Sequence, residues 1–580
     1  MSDEIRNEDE MNEEREGEAQ IDGDGPVDGE DAAQASATPE PSAPPPQPPA
    51  PPPPPAASTA EGGQTASGMN RRDVVKALAT VPLVGALGYE TIRKYGIEDA
   101  RSEAIAREVG IELESPAFSE EAISRSSQTI RIGIIGNGGE GESLVRSLGF
   151  AHPDWIQDRR TSAAEDPKDR QLQEWLAQQD LNVQITAVCD VFDVRAERAI
   201  AASTQPLRPG GDTRTLQPAK RYRHFEELLA APDVDAVIIA TPDHLHATIT
   251  IAAARAGKHV YCEKCMTRTF EEVFPMADAV RESGIVFQLG HQNRQLESHE
   301  KAREVVAKGL LGPLTLVETT TNRNDPWGAW VWDIHPEGNR STIDWDLFQI
   351  AAGRRVPFSL ERFFRWRCWY DYGTGLSGDL LSHEFDAVNQ ILGIGIPKTA
   401  TASGGIYYFK DGRDVPDVFQ AVFEYPYRDL TVVYSATLAN GNYRGQKYMG
   451  HDATMEVSSG LKVTADGSST RYKEMLEDGT VSPRRPMLTY QSGYKGLDAV
   501  TTATQEYFAS RGLMFTYKGG RRISTYYLHL KEWLQAIRDG TPVSCDIEQG
   551  VQEAVTCHMA TKSFLEGRRV EWDPATRQIV

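Results

Sequence analysis

The sequence predicts an α/β protein in two folded parts: an N-terminal Rossmann-type, doubly wound parallel sheet, and a C-terminal α+β domain with a large, mostly antiparallel open sheet. Three observations carry that prediction. Between residues 130 and 290, short β-branched runs alternate with helix-compatible segments, the pattern of a parallel sheet wound with helices. A glycine-rich turn, Gly136-Asn137-Gly138-Gly139-Glu140-Gly141, joins the first run to the first helix. From 291 to 580, strand-like runs follow one another with turns between them and few helices.

What precedes these parts has another composition. Residues 1–31 hold fourteen Asp and Glu against Arg6 and Arg15, about half of the chain's net charge of −23. Twelve of its 34 prolines lie between Pro39 and Pro55. Such a stretch buries too little apolar surface to offset its ordering entropy, so 1–68 is predicted to be disordered, an acidic spacer with a stiff polyproline-like part. Asn70-Arg71-Arg72-Asp73 then precedes an apolar run, Ala77 to Tyr89, too short to span a bilayer and with small residues at Ala86 and Gly88. Paired arginines before such a run resemble a twin-arginine export signal at 69–89, a route that carries folded proteins to the periplasm. A start at Met69 and a cytoplasmic location are the alternatives. Residues 90–129 read as a linker with helical character. No stable membrane insertion is expected, and an acidic chain without a basic run lacks the electrostatic footprint of a nucleic-acid partner.

The first domain is bounded at 130–290. Ile130-Arg-Ile-Gly-Ile-Ile135 reads as a buried parallel strand, and Ser143–Leu148 as the start of a helix. Between them the G-x-G-x-x-G spacing fits a dinucleotide turn: Gly136 makes the bend, Gly138 lets backbone approach a pyrophosphate, and Gly141 lets helix pack on strand. Gln184–Asp190 is a second strand ending in an acid. A carboxylate there accepts from ribose hydroxyls and repels a 2′-phosphate, which favours NAD over NADP. Asp190 lies farther from the glycines than the usual ~20 residues, and the polar stretch His152–Leu181, with Trp155 and Trp175, reads as an insertion. Strands follow at Val234–Ala240, His259–Cys262 and Ile285–Leu289, separated by helices at Thr248–Ala256 and Phe270–Glu282.

The six cysteines do not make a disulfide framework in so long a chain. Cys262-Glu-Lys-Cys265 is formally a C-x-x-C, and a redox pair is one reading of it. His244 and His246 sit at i, i+2 with no Cys or carboxylate cluster beside them, so loop and cap roles are favoured and no metal site is expected.

In the second domain, 291–580, strands are predicted at Leu314–Thr321, Ala400–Phe409, Phe419–Tyr425, Leu430–Ser435 and Thr454–Val457. Between the first two lies Asn322–Tyr372, with tryptophans at 327, 330, 332, 345, 366 and 369 among Arg323, Asp333, His335, Arg365 and Arg367. Aromatics interleaved with hydrogen-bonding groups suit a pyranose, which has apolar faces and polar edges. A loop packing its tryptophans into the core is the competing reading.

The run Ala240-Thr-Pro-Asp-His-Leu-His246 and then Ala256-Gly-Lys-His-Val-Tyr-Cys-Glu-Lys264 resembles the Gfo/Idh/MocA oxidoreductases. Gly290-His-Gln-Asn-Arg294, Gly378-Asp-Leu-Leu-Ser-His383 and the final Trp533-Leu-Gln-Ala-Ile-Arg extend the resemblance from about 130 to the C-terminus. It implies an NAD-dependent enzyme that moves hydride between a sugar or cyclitol hydroxyl and nicotinamide, and a homo-oligomer. Two alternatives accompany it: a glycoside hydrolase working by transient C3 oxidation and elimination, and an NAD-bound protein without turnover. By resemblance Lys264 meets the reacting hydroxyl, His383 takes its proton, and Asp379, one helical turn away at i and i+4, orients it. Burial and the positive nicotinamide are expected to lower the pKa of Lys264. The implied cofactor-binding residues are Gly136, Asn137, Gly138, Gly139, Gly141, Asp190, Thr241, Pro242, His246, Glu263, Lys264 and Gln292. Lys264, Arg294, Trp366, Asp379 and His383 are implied at the substrate. One departure is Cys265, where the family has a proline that is often cis. A non-proline cis bond costs about 2.5–4 kcal/mol, which favours a trans peptide here and a displaced lysine.

Overall fold

The structure, a computed structural model, describes residues 100–113, 128–166, 168–211, 216–491, 515–518 and 521–580. The acidic, proline-rich leader at 1–68 and the twin-arginine-like segment at 69–89 lie outside the described residues. Of the linker, 100–109 is helical, and it seats Ile105 and Ala106 in the core.

The first sheet consists of β1 (Ile130–Ile135), β2 (Val183–Cys189), β3 (Lys220–Tyr222), β4 (Ala236–Ile239), β5 (His259–Glu263) and β6 (Phe287–Gly290). Their order is β3-β2-β1-β4-β5-β6, and every pair is parallel. The β-branched runs are there because both faces are covered. Alternate side chains enter two separate cores: Ile132, Ile134, Ala236 and Ile238 on one face, Ile135, Val237 and Ile239 on the other. Two helices that follow their strands close the winding, α1 (Gly139–Ser147) after β1 and α2 (His246–Arg255) after β4. Strand order reverses between β1 and β4, which leaves a crevice at their carboxyl ends, the usual place for a ligand in an open α/β sheet.

The predicted insertion is real structure. Helices Pro153–Glu165 and Gln171–Leu176 pair Trp155 edge-on with Trp175, and the Trp175 indole donates to the Arg146 carbonyl at 2.8 Å. Strand β3 was not foreseen; its sequence, Lys-Arg-Tyr, is polar and it is held by pairing with β2.

The second sheet has ten strands in the order β14-β13-β12-β11-β7-β10-β9-β8-β17-β18. These are β7 (Leu314–Asn322), β8 (Thr399–Gly405), β9 (Val418–Tyr425), β10 (Leu430–Thr437), β11 (Gln446–Gly450), β12 (Ala453–Val457), β13 (Gly460–Ala465), β14 (Leu488–Gln491), β17 (Val570–Asp573) and β18 (Gln578–Ile579). Separately, β15 (Phe515–Lys518) pairs antiparallel with β16 (Arg521–Ser524). Among the described residues of the second sheet, only β7 and β10 pair in parallel. Strict alternation marks the faces: Val432, Tyr434 and Ala436 of β10, with Phe419, Ala421 and Phe423 of β9, point inward. Helices α3 (Ser382–Leu392) and α5 (Ile547–Glu566) share that core through Phe385, Val388, Val555 and Met559.

One later helix, α4 (Thr525–Asp539), packs back on the first sheet. Its Tyr527, Leu530, Trp533 and Leu534 lie in one core with Ile132, Ile134 and Tyr261. Among the described residues no helix is long and apolar enough to cross a membrane.

Candidate functional site

A cavity of about 720 Å³ opens between the carboxyl ends of the first sheet and the edge made by the end of β7 and the start of α3. At one end is the glycine turn. Gly136 has φ +87, and a Cβ there would lie 2.7 Å from the Ala240 carbonyl oxygen. A Cβ at Gly141 would collide with the Gly136 carbonyl, so that glycine lets α1 sit against the turn. At Gly139, which faces the cavity, a Cβ would meet nothing within 4 Å. The turn therefore leaves backbone amides bare at the first turn of a helix, a cradle of the shape and polarity a pyrophosphate requires. Two of the expected contacts stand behind it: Asn137 and Gly141 are buried and do not line the cavity. Asn137 instead donates its side-chain amide to the Arg195 carbonyl at 3.0 Å.

Asp190 lines the cavity with both oxygens already engaged, by the Asn137 amide at 2.6 Å and the Phe192 amide at 2.8 Å. It ties β2 to the glycine turn, a role its position at a strand end did not reveal. A carboxylate has capacity for about four donors, so two remain for a ligand. Thr241, Pro242, Glu263 and Gln292 also line the cavity. Gln292 donates to the Glu263 carboxylate at 2.7 Å and to the Tyr261 hydroxyl at 2.9 Å. Burial, then the nearby Glu140, push the Glu263 carboxyl well above its ordinary value. His246 does not reach the cavity; its ring nitrogens face the carbonyls of Cys265 at 2.7 Å and Thr241 at 2.9 Å. It shapes the two turns that do.

At the other end Lys264, leaving β5, donates to the Asp379 carboxylate at 2.8 Å and to its carbonyl at 3.0 Å. Arg367 binds the same carboxylate oxygen at 2.8 Å. The Lys264–Cys265 peptide is cis, contrary to the expectation from bond energetics alone. The Cys265 thiol meets the Thr374 hydroxyl at 3.0 Å, and Thr374 donates to Asp243 at 2.8 Å. The expected direction for Lys264 is also corrected. Burial opposes its charge, but the Asp379 carboxylate outweighs burial and holds the amine above the ordinary lysine value. Burial likewise opposes ionisation of Asp379, yet Arg367 and Lys264 hold its carboxyl well below the usual range.

Asp379 thus serves Lys264 and Arg367 and is not bonded to His383. The two residues stand at a junction, because Ser377–Leu381 winds as a π turn before α3 begins at Ser382. His383 lines the cavity with a buried Nδ1 that has no partner. Burial first, then Lys264 and His291, push its pKa well below the ordinary value, so its ring is neutral. His291 stands edge-on to it, ring centres 5.5 Å apart, and is bonded to Glu553 with Asp386 at 3.9 Å.

Arg294 is not a substrate residue. It is buried and committed to Asp386 at 2.6 Å and to the Ser544 carbonyl, away from the cavity. A buried guanidinium must be paired, and this one is. His291, Asp386 and Glu553 bring three potential metal-ligand atoms within 4.8 Å of one another. Arg294 on Asp386, and the His291–Glu553 bond, arrange them as an ion-pair network.

The tryptophans divide between the two readings. Trp345 and Trp369 are core, Trp327, Trp332 and Trp366 line the cavity, and Trp330 is a core residue that also lines it. Arg367, which sequence reasoning passed over among the loop charges, stacks on Trp366 with its guanidinium carbon 4.2 Å from the ring centre. Its only sequence signal was an arginine between two tryptophans and a cysteine. The C-x-x-C is two buried free thiols, both pushed up by burial, and no redox pair. His244 hydrogen-bonds the Phe348 carbonyl at 2.6 Å, and burial lowers its pKa to about 4.

Comparison with known proteins agrees with this geometry. Residues 130–291 match the oxidoreductase family's NAD-binding Rossmann fold, and 348–572 match the same family's C-terminal alpha/beta domain. Levoglucosan dehydrogenase of Pseudarthrobacter phenanthrenivorans is 31% identical over 191 residues, 31% of this chain and 41% of that one. The scyllo-inositol 2-dehydrogenase (NADP(+)) of Bacillus subtilis is 23% identical over 365 residues, 62% and 84% of the two chains. With several of these curated relatives, the match spans less than half of the relative's length. A solved levoglucosan dehydrogenase, in complex with NADH and levoglucosan, shares the fold with a TM-score of 0.51 and 19% identity, over 77% of this chain and 99% of that one.

Proposed function

This chain belongs to the Gfo/Idh/MocA oxidoreductase family, and from that premise we propose that it moves hydride between NAD and a hydroxyl-bearing carbon of a sugar or cyclitol. The observation that carries the reading is the Lys264–Asp379–Arg367 cluster beside a neutral His383, at the far end of a cavity that begins with a dinucleotide turn. When bound, NAD supplies the hydride acceptor. Gly136, Gly138, Gly139, Asp190 and Thr241 would hold it. Lys264 carries a positive charge into the cavity and stabilises an oxygen as it loses its proton. His383, neutral and open to the cavity, takes that proton. Asp379 keeps the lysine charged and pointed, and Arg367 keeps Asp379 ionised.

A panel of sugars, cyclitols and glycosides with purified protein tests the reading. NADH accumulating with one member of the panel supports it. Glycoside cleavage with no NADH would replace it by transient oxidation and elimination. The homo-oligomer implied by the resemblance belongs to the same proposal, and sedimentation velocity measures it. So does export: Arg71→Lys with Arg72→Lys keeps the charge but loses the guanidinium pair, and should leave the protein cytoplasmic on cell fractionation. A wild-type protein found only in the cytoplasm would end that part of the proposal.

A further inference from the structure

Of the cavity-lining cations the mechanism does not use, Arg223 pairs with Asp193, and Arg195 lies over the rings of Phe192, Phe363 and Phe364 beside the glycine turn, which leaves Arg323. Arg323 follows directly on β7, whose last residues, Thr321 and Asn322, line the same cavity. Its backbone is fixed by donation to the Thr437 carbonyl at 2.9 Å, and Gly328 packs so close that a Cβ there would lie 3.0 Å from its own Cβ. Its Nε is buried without a partner, and among the described residues the side chain makes no hydrogen bond or ion pair. Every carboxylate whose field reaches it is bonded elsewhere. Asp379 holds Lys264 and Arg367; Glu384 accepts from Gln446 at 2.7 Å and Thr321 at 3.3 Å; Asp325 accepts from the Gly328 amide at 2.6 Å. Half-buried guanidinium without a partner is costly unless something arrives to pair it.

We propose that Arg323 receives the carboxylate of the substrate, and that the substrate is therefore a sugar acid and not a neutral sugar or cyclitol. The inference rests on the carbohydrate reading of the site and narrows it. A guanidinium fork matches the two oxygens of a carboxylate in plane, and Arg323 is rigid at its base. The charge count favours a monoanion. Arg323 has no carboxylate of its own, while Asp379 and Glu384, whose fields reach it, oppose a dianion such as a phosphate ester. Trp327, Trp330, Trp332 and Trp366 supply the apolar wall for the ring that carries the carboxylate.

The test uses the full-length, NAD-loaded protein with glucuronate and galacturonate, their methyl esters, the parent hexoses, and hexose 6-phosphates. The acids should exceed the parent hexoses in kcat/KM by about 10- to 100-fold, the span of a hydrogen-bonded charge pair, and the esters should fall to the hexose level. Arg323→Gln should collapse the acid-to-hexose ratio towards one, with Arg323→Lys between it and wild type. Hexoses turned over as well as the acids, an unchanged ratio in Arg323→Gln, or a preference for the phosphates would each overturn the proposal while leaving the oxidoreductase reading intact. If nothing in the panel is turned over, equilibrium binding to the NAD-loaded protein decides separately. Tighter binding of the acids, lost in Arg323→Gln, upholds the carboxylate site; equal binding removes it.

Discussion

Lys264 and Arg367 share one carboxylate, and this sharing sets what the removal of each group does. Lys264→Ala should lower turnover by roughly 10² to 10⁴, the contribution of one positioned acid–base group. NAD affinity should stay close to wild type, since the glycine turn is untouched. His383→Ala should cost a similar factor, and the double variant less than the product, because groups acting on one proton are not additive. Full activity in Lys264→Ala, measured as initial rate, would remove the lysine from the mechanism. Glu384, next to His383, gives a pH signature. Burial raises its carboxyl to about 7, against 4.5 when exposed. The folded state then binds the proton more tightly than the unfolded one, so this group's share of stability is present below pH 4.5 and is lost as pH rises through 7. Glu384→Gln should flatten that decline, by an amount on the order of a few kcal/mol, in urea titrations at pH 5 and pH 8. A parallel decline in the variant would assign the pH dependence elsewhere. At this scale much of the site was legible. Lys264, Asp379 and His383, implied by the resemblance, line one cavity, but Asp379 bonds Lys264 and Arg367 and not His383. Arg294 was misread because a motif gives a residue's position on the chain and not the partner its side chain finds; Asp386, 92 residues on, claimed it. Arg367 was missed for the converse reason, since its partner Asp379 was known and its own segment looked like a loop.

At the scale of elements, α3 and α5 are joined by more than apolar contact. Asp386 from α3 and Glu553 from α5 hold His291 between them, and burial's opposition to the imidazolium is outweighed by these two carboxylates, so its pKa is raised. Glu553→Ala should leave that charge partly unpaired and lower unfolding free energy by about 3–5 kcal/mol, read from denaturant midpoints at constant slope. A loss below 1 kcal/mol would show the network to be neutral in the fold. Which elements could be foreseen follows from how each is stabilised. Strands β1, β4, β9 and β10 bury alternate or successive β-branched and aromatic residues, and their sequences announce it. Strand β17, Val-Glu-Trp-Asp, and β11, Gln-Lys-Tyr-Met-Gly, are strands because each is paired on both sides, β11 by β7 and β12 and β17 by β8 and β18, a fact that lies in the partners. The π turn at Ser377–Leu381 has no local signature of its own.

Over the whole molecule, the two-part fold class was readable, but the division of the chain between the parts was not. Helix α4, more than two hundred residues after the last strand of the first sheet, completes that sheet's core. Trp533 is fully buried there, and Trp533→Ala should cost about 3–5 kcal/mol and destabilise the glycine turn with it, seen as a lowered melting temperature and weakened NAD binding together. A variant that melts early yet binds NAD normally would show the two to be independent. The same helix imposes an order on biosynthesis. A ribosome adding roughly 5–20 residues per second delivers the strands of the first sheet well before α4 emerges. For tens of seconds one face of a parallel sheet, Ile132, Ile134 and Ile238 among its residues, has only the cover of α1 and of the helix at Asp193–Ser203, and lacks that of Tyr527, Leu530, Trp533 and Leu534. A holding chaperone would find its target in that interval, and a translocation route that threads proteins unfolded would repeat the wait on the far side of the membrane.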